Sequence, residues 1–149
     1  MQIFFGGDHA GFLLKAELIS FAEGLGFTPH DLGPFELNPE DDYPEFVRAV
    51  ALKVAGHPDS RGVIIGGSGQ GEAMVANRVA GVRAAVYYGG AQDIVRLSRE
   101  HNDANILSLG ARFISTDEAK DALRLWLETD FSNELRHVRR IASIDGENT

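Results

Sequence analysis

The chain has 149 residues, with 14 Lys and Arg against 22 Asp and Glu, 44% hydrophobic residues, 17 glycines and no cysteine. That length and apolar content suit one domain with a substantial core. A formal charge of -8 argues against nonspecific nucleic-acid binding, and the missing thiols exclude disulfides, a cysteine nucleophile and a cysteine metal site.

No apolar run approaches the roughly 20 residues of a membrane span, and the opening residues QIFFGG carry no signal-peptide pattern, so a cytoplasmic protein is expected. Gln2 to Phe5 reads as a strand, followed by the Gly-bounded loop Gly6-Gly7-Asp8-His9-Ala10-Gly11. Leu13, Leu14, Leu18, Phe21, Ala22 and Leu25 have helical spacing, and Gly24 and Gly26 end that helix. Phe27 to Leu32 is a short strand whose Pro29 suggests a sheet edge. A loop rich in Pro and acids runs from Gly33 to Asp42. Pro44 then starts a helix with Phe46, Val47, Val50, Ala51 and Val54 on its apolar face.

The central stretch is GVIIGGSGQGEAMVAN, Gly62 to Asn77. Val63 to Ile65 form a buried strand, Gly66 to Gly71 a loop almost without side chains, and Ala73 to Ala76 a helix. Val82 to Tyr88 is the fourth strand, Ala91 to His101 a helix, and Asn105 to Leu109 the fifth strand. Ser115-x-x-Glu118 is a capping box opening a helix through Leu127, and a last helix spans about Asn133 to Ile144. Strands alternating with helices predict a three-layer α/β/α fold with a five-stranded parallel, Rossmann-like sheet and an extra C-terminal helix. Ligands of such sheets bind beyond the strand carboxyl ends, where Asp8-His9, Ser68-Glu72 and Tyr87-Tyr88 are expected. The last helix has no following strand to pack on, so it is expected to reach a second subunit.

The central loop fits neither common nucleotide motif. No register gives G-x-G-x-x-G, and Glu72 and Ala73 stand where a P-loop needs Lys and Ser or Thr. A strand, a glycine loop and a helix start still present free N–H groups to a small anion. Ser68 and Glu72 are its only reactive side chains. A plain βα turn with a first-turn acid explains the same residues. Asp8-His9 suits either a turn or a site, and His101-Asn102 suits either a helix cap or a site. Arg136 and Arg140 share one helix face, which fits a phosphate or a solvated basic surface. No cluster has metal-ligand spacing. The combined inventory suits proton abstraction next to a carbonyl in a phosphorylated sugar.

GGDHAGFLLK, DDYP, GGSGQGEAMVANRVAGVRAA, SREHNDANILSLGAR and RHVRRI occur in that order across nearly the whole chain. With these motifs the chain resembles the ribose-5-phosphate isomerase B family, which includes the galactose-6-phosphate isomerase subunits. The resemblance implies interconversion of D-ribose 5-phosphate and D-ribulose 5-phosphate, without metal or other cofactor, in a homodimer or dimer of dimers with shared sites. It implies that Asp8 and His9 line the sugar and phosphate end and that His101 and Asn102 assist ring opening. Arg112, Arg136 and Arg140 would hold the phosphate, and Tyr43 would flank the sugar. Ser68 and the amides of Gly67, Gly69 and Gly71 would face the enediolate. Some members carry a cysteine base where this chain has Gly66. A second branch has the GGSGxGE form and uses the glutamate, which makes Glu72 the expected base. A six-carbon sugar phosphate, or a non-catalytic sugar-phosphate sensor, are the alternative readings.

Overall fold

The computed structural model describes residues 1–144 and Gly146. Five strands, β1 (Gln2–Gly7), β2 (Thr28–Asp31), β3 (Arg61–Gly66), β4 (Ala84–Tyr87) and β5 (Ile106–Gly110), form one sheet in the order β2-β1-β3-β5-β4. Every neighbouring pair is parallel. Six helices accompany them: α1 (Phe12–Gly24), α2 (Tyr43–Gly56), α3 (Gln70–Ala76), α4 (Asp93–Glu100), α5 (Thr116–Glu128) and α6 (Leu135–Ile144). The α/β/α arrangement is the one expected from the sequence. Pro29 lies on the edge strand β2, and Ser115 and Glu118 form the capping box that opens α5.

The central strands are apolar on both faces because helices cover both. Side chains alternate along a strand. Ile3, Phe5, Val63, Ile65, Leu107 and Leu109 therefore point one way, into a core with Leu14 and Leu18 of α1, Val95 of α4 and Leu123 and Trp126 of α5. Phe4, Ile64 and Ile106 point the other way, against Val47, Val50 and Val54 of α2 and Ala76 of α3. In α6 only His137 is buried, while Leu135, Val138 and Ile144 stay exposed. Among the described residues, no helix is long and apolar enough to cross a membrane.

One buried cation organises the segment between β2 and α2. Lys15, 2% exposed on α1, donates to Asp31 Oδ1 at 2.6 Å and to the Pro34 carbonyl at 2.7 Å. Asp31 Oδ1 also accepts from the Gly33 amide at 2.9 Å. Lys15→Met keeps the apolar stem and removes two charge-assisted hydrogen bonds. Asp31 retains water and the Gly33 amide, so the expected loss is about 2 kcal/mol, read as a lower urea midpoint at unchanged slope.

Candidate active site

The carboxyl ends of β1, β3 and β5 carry one group of the expected residues. Gly66 closes β3, and the loop to α3 is fixed by three hydrogen bonds from the β5 side. Ala111 N–H donates to the Gly66 carbonyl at 2.8 Å, Arg112 N–H to the Gly67 carbonyl at 3.1 Å, and Ser108 Oγ to the Gly69 carbonyl at 2.6 Å. Gly69 stands at φ +78, a left-handed conformation that glycine adopts without strain. With the carbonyls held, the N–H groups of Gly67 and Ser68 have no partner among the described residues. Ser68 Oγ accepts from Gln70 N–H at 3.2 Å.

Glu72, in the first turn of α3, is 4% exposed. Its carboxylate fills the space beside Gly66 so closely that a Cβ on Gly66 would stand on the carboxylate oxygens. Burial pushes the Glu72 carboxyl above the ordinary carboxylate range, and the neighbouring Asp8 charge pushes it further. The amides of Glu72 and Gly69 pull partly the other way. A carboxylate held so is a stronger base than one in water.

Asp8 is buried at the end of β1 and accepts from the amides of Ala10, at 2.9 Å, and Gly11, at 3.4 Å, capping a single 3-10 turn, His9–Gly11. The turn reading of Asp8 is thus realised in the strand-end position expected of a site residue. His9 pairs through Nδ1 with Asp41 Oδ1 at 2.7 Å. That hydrogen bond, with the Asp8 and Asp41 charges, raises the His9 pKa, while Arg112 opposes the rise. The exposed Arg112 lies over Gly67, and Tyr43, which opens α2, packs its phenol against Gly71. Tyr87 is buried under Ile114 and α5, and Tyr88 stays exposed in edge-to-face contact with Phe113.

The remaining expected residues lie elsewhere. His101 caps the carboxyl end of α4, where its N–H donates to the Leu97 carbonyl at 2.9 Å. The next carbonyls, of Asn102 and Asp103, accept from Arg83 Nε just before β4 begins. His101 and Asn102 therefore sit at the amino ends of β4 and β5. A five-residue strand separates them from Glu72, about 16 Å at 3.3 Å per residue. His137 of α6 stacks on His101 with ring centroids 4.3 Å apart. That contact places Arg136 and Arg140 on the His101 side. Arg136 pairs with Glu134 at 2.9 Å, as a solvated basic face would, and Arg140 makes no ion pair among the described residues. One chain does not bring all the expected residues together. It carries two groups at opposite ends of its sheet.

The model of the family described as Ribose/Galactose Isomerase matches residues 3–144. The chain belongs to that family. Its relatives include a ribose-5-phosphate isomerase B from Mycolicibacterium paratuberculosis, 40% identical over 95% of this chain and 87% of the relative. The Escherichia coli ribose-5-phosphate isomerase B is 36% identical over 96% of this chain and 93% of its own. Among solved structures, ribose-5-phosphate isomerase B from Mycoplasma genitalium with bound ribulose-5-phosphate superposes with a TM-score of 0.93. It is 36% identical, covering 99% of this chain and 97% of the other. The Clostridium thermocellum enzyme gives 0.92 at 40% identity with the same coverage.

Three residues that brace these two groups escaped the sequence reading. Asp41 lay in an acid-rich loop, Ser108 inside an apolar strand and His137 inside a basic run. The ligand atoms of Asp8, His9 and Asp41 lie within 4.8 Å of one another, the one such grouping found among the described residues. Sequence spacing gave no hint of it, because Asp41 lies 32 residues from His9. His9 Nδ1 already serves Asp41, and we assign no metal there.

Two substitutions test the base. Gly66→Ala puts a methyl where the carboxylate lies, and kcat is expected to fall at least ~10²-fold, with the fold retained by circular dichroism. Glu72→Gln is expected to lose a similar factor in kcat and to stop exchange of the substrate C2 proton with deuterated solvent. Because folding raises the Glu72 pKa, the folded chain binds that proton more tightly than the unfolded chain. Its contribution to stability is present in acid and lost as pH rises through the raised value. Glu72→Gln removes that loss, so at neutral pH its melting temperature is expected to equal or exceed that of the wild type. In the wild type, kcat/KM is expected to fall as pH drops through the same raised value.

Proposed function

We propose that the chain interconverts D-ribose 5-phosphate and D-ribulose 5-phosphate by proton transfer through an enediolate. The observation that carries this reading is the buried Glu72 carboxylate, set in the space left by Gly66 beside unpartnered loop amides. Glu72 removes the C2 proton and returns it to C1. The amides of Gly67, Gly69 and Gly71 receive the charge that develops on the enediolate oxygens, a role worth about 3 kcal/mol per well-placed donor. Ser68 relays a proton between O1 and O2. Tyr43 flanks the sugar, and Asp8, beside Glu72, helps the furanose to open. The relative from Mycoplasma genitalium, bound to ribulose-5-phosphate, supports the five-carbon substrate over a six-carbon one.

The ring-opening acid and the rest of the phosphate clamp come from a second copy in this proposal. His101, Asn102, Arg136 and Arg140 of one subunit complete the Asp8, Glu72 and Arg112 end of the other. The supporting observation is that these groups lie at opposite ends of a single sheet. The outward-facing Leu135 and Val138 of α6, 86% and 44% exposed, suit burial against that second copy. The assembly is a homodimer or a dimer of dimers acting on cytoplasmic sugar phosphate, without a metal requirement.

An isomerase assay with ribose 5-phosphate beside allose 6-phosphate and galactose 6-phosphate, with and without EDTA, tests the reaction. Turnover of the five-carbon substrate, undiminished by chelation, is expected. Loss of turnover in EDTA with recovery on adding a divalent ion would overturn the metal-free route. Mixing tests the sharing. Glu72→Gln and Arg140→Ala homodimers are each expected to be impaired. Co-expressed, they are expected to recover about a quarter of wild-type activity, because half the dimers are mixed and one site in each is intact. No recovery would mean that each site is built from one chain.

A further inference from the structure

We propose that Asp41 is a positioning residue: it fixes the His9 ring so that Nε2 faces the phosphate end of the substrate. This rests on the isomerase reading, which puts the phosphate beside His9 and Arg112. One carboxylate oxygen, Asp41 Oδ1, engages His9 twice. It accepts from the His9 backbone N–H at 3.0 Å and pairs with ring Nδ1 at 2.7 Å. Two contacts to one residue fix both the backbone position and the ring rotation, and leave Nε2 as the only ring nitrogen for a ligand. The Asp41 side chain is 7% exposed and that of His9 30%, so the support is buried and the supported ring reaches solvent.

The rest of the Asp41 carboxylate has no other structural task. Its Oδ2 is buried and makes no hydrogen bond among the described residues. A buried acceptor left so is costly unless the charge serves a neighbour. The charged groups facing His9 are Asp41 from the β2–α2 loop, Asp8 from the end of β1 and Arg112 from the β5–α5 turn. Arg112 alone would repel a cationic ring. Asp41 offsets that repulsion, so an imidazolium and a guanidinium can converge on one anion. The Asp41 backbone is itself held, its N–H donating to the Asn38 carbonyl at 3.1 Å, on the same loop that Lys15 anchors at Pro34.

The test compares wild type and Asp41→Asn in two readouts. The first is the titration of His9 by NMR on histidine-labelled protein. The second is the affinity for inorganic phosphate, by calorimetry, and the KM for ribose 5-phosphate, both from pH 6 to 9. The phosphate's own titration is common to both proteins and drops out of the comparison. Asp41→Asn is expected to titrate His9 at lower pH. Phosphate affinity and KM should worsen severalfold at pH values between the two measured His9 titrations and converge toward the acid end, where the ring is charged in both proteins. The change should fall in KM rather than kcat. In a His9→Asn background the Asp41 substitution should add nothing.

Equal weakening at every pH, or an undiminished effect in the His9→Asn background, would show a merely structural role and overturn the proposal. So would an unmoved His9 titration. A wild type that binds phosphate with this Asp41 dependence but does not isomerise sugar phosphates would sink the isomerase reading and leave the pair standing. Asp41→Glu, which keeps the charge, covers the case in which Asp41→Asn does not fold. It is expected to retain the wild-type pH dependence, and loss of that dependence would count against the proposal.

Discussion

The site depends on an exclusion of volume: a Cβ at position 66 and the Glu72 carboxylate cannot occupy the same place. A buried carboxylate needs room, an approach from its own helix and neighbours that do not neutralise it. Gly66 supplies the room at the end of β3. The first turn of α3 supplies the approach, and the three hydrogen bonds from Ala111, Arg112 and Ser108 keep the loop from collapsing into the gap. Among the described residues no cation pairs with Glu72, and the charge that acts on it is the carboxylate of Asp8. The fold therefore holds this group at a cost in stability, and the cost appears as raised proton affinity. A general base working near neutral pH needs that affinity.

The second constraint is topological. In a parallel sheet each crossover helix returns the chain to the amino ends of the strands. Groups on the loops after β1, β3 and β5 then face one end, and groups at the carboxyl end of α4 face the other. Glu72 and His101 are separated by this rule and not by any local accident. No rearrangement of side chains could join them within one chain. A reaction that uses both must recruit a second copy. The last helix buries only His137 and leaves its apolar Leu135 and Val138 uncovered, the surface that the proposed second copy would cover.

How far the sequence could be read follows from how local each determinant is. The β-branched run Val63–Ile65, the periodic apolar residues of α1 and α2, the Ser115–Glu118 box and Pro29 at a sheet edge are all local signals, and the structure repeats them. The placement of Asp8, Ser68 and Glu72 beyond the strand carboxyl ends was legible, because glycine loops after strands mark that end of such a sheet. Asp41 was not. Its role needs the path of a ten-residue loop and a Lys15–Pro34 tether, neither of which has a periodic signature. Ser108 sits between Leu107 and Leu109 and reads as an ordinary buried strand position until the Gly69 carbonyl meets it. His137 is hidden among arginines, and its burial depends on the neighbouring His101 ring. The boundaries of α3, α4 and α6 shifted by a few residues, because glycine-rich and polar helix starts carry weak caps.

The charges of the strand-end site form two opposed pairs. Asp8 and Glu72 are like charges side by side and both buried, and the Asp8 charge adds to the rise that burial gives the Glu72 pKa. His9 and Arg112 are like charges as well, and there Asp41 intervenes on the side of the cation. The result is a site with raised basicity at one end and retained positive charge at the other, across a few residues of loop. A ligand that is anionic throughout would be repelled at the Glu72 end, and a neutral one would leave the cationic end unanswered. A phosphorylated sugar has the complementary shape of charge: a dianion at one terminus and weakly acidic carbon at the other. The same opposition explains why the two ends are braced differently. The basic end is held by uncharged hydrogen bonds to backbone carbonyls, so nothing there lowers the proton affinity of Glu72 by ion pairing. The cationic end is held by a carboxylate, because charge is what must be preserved there.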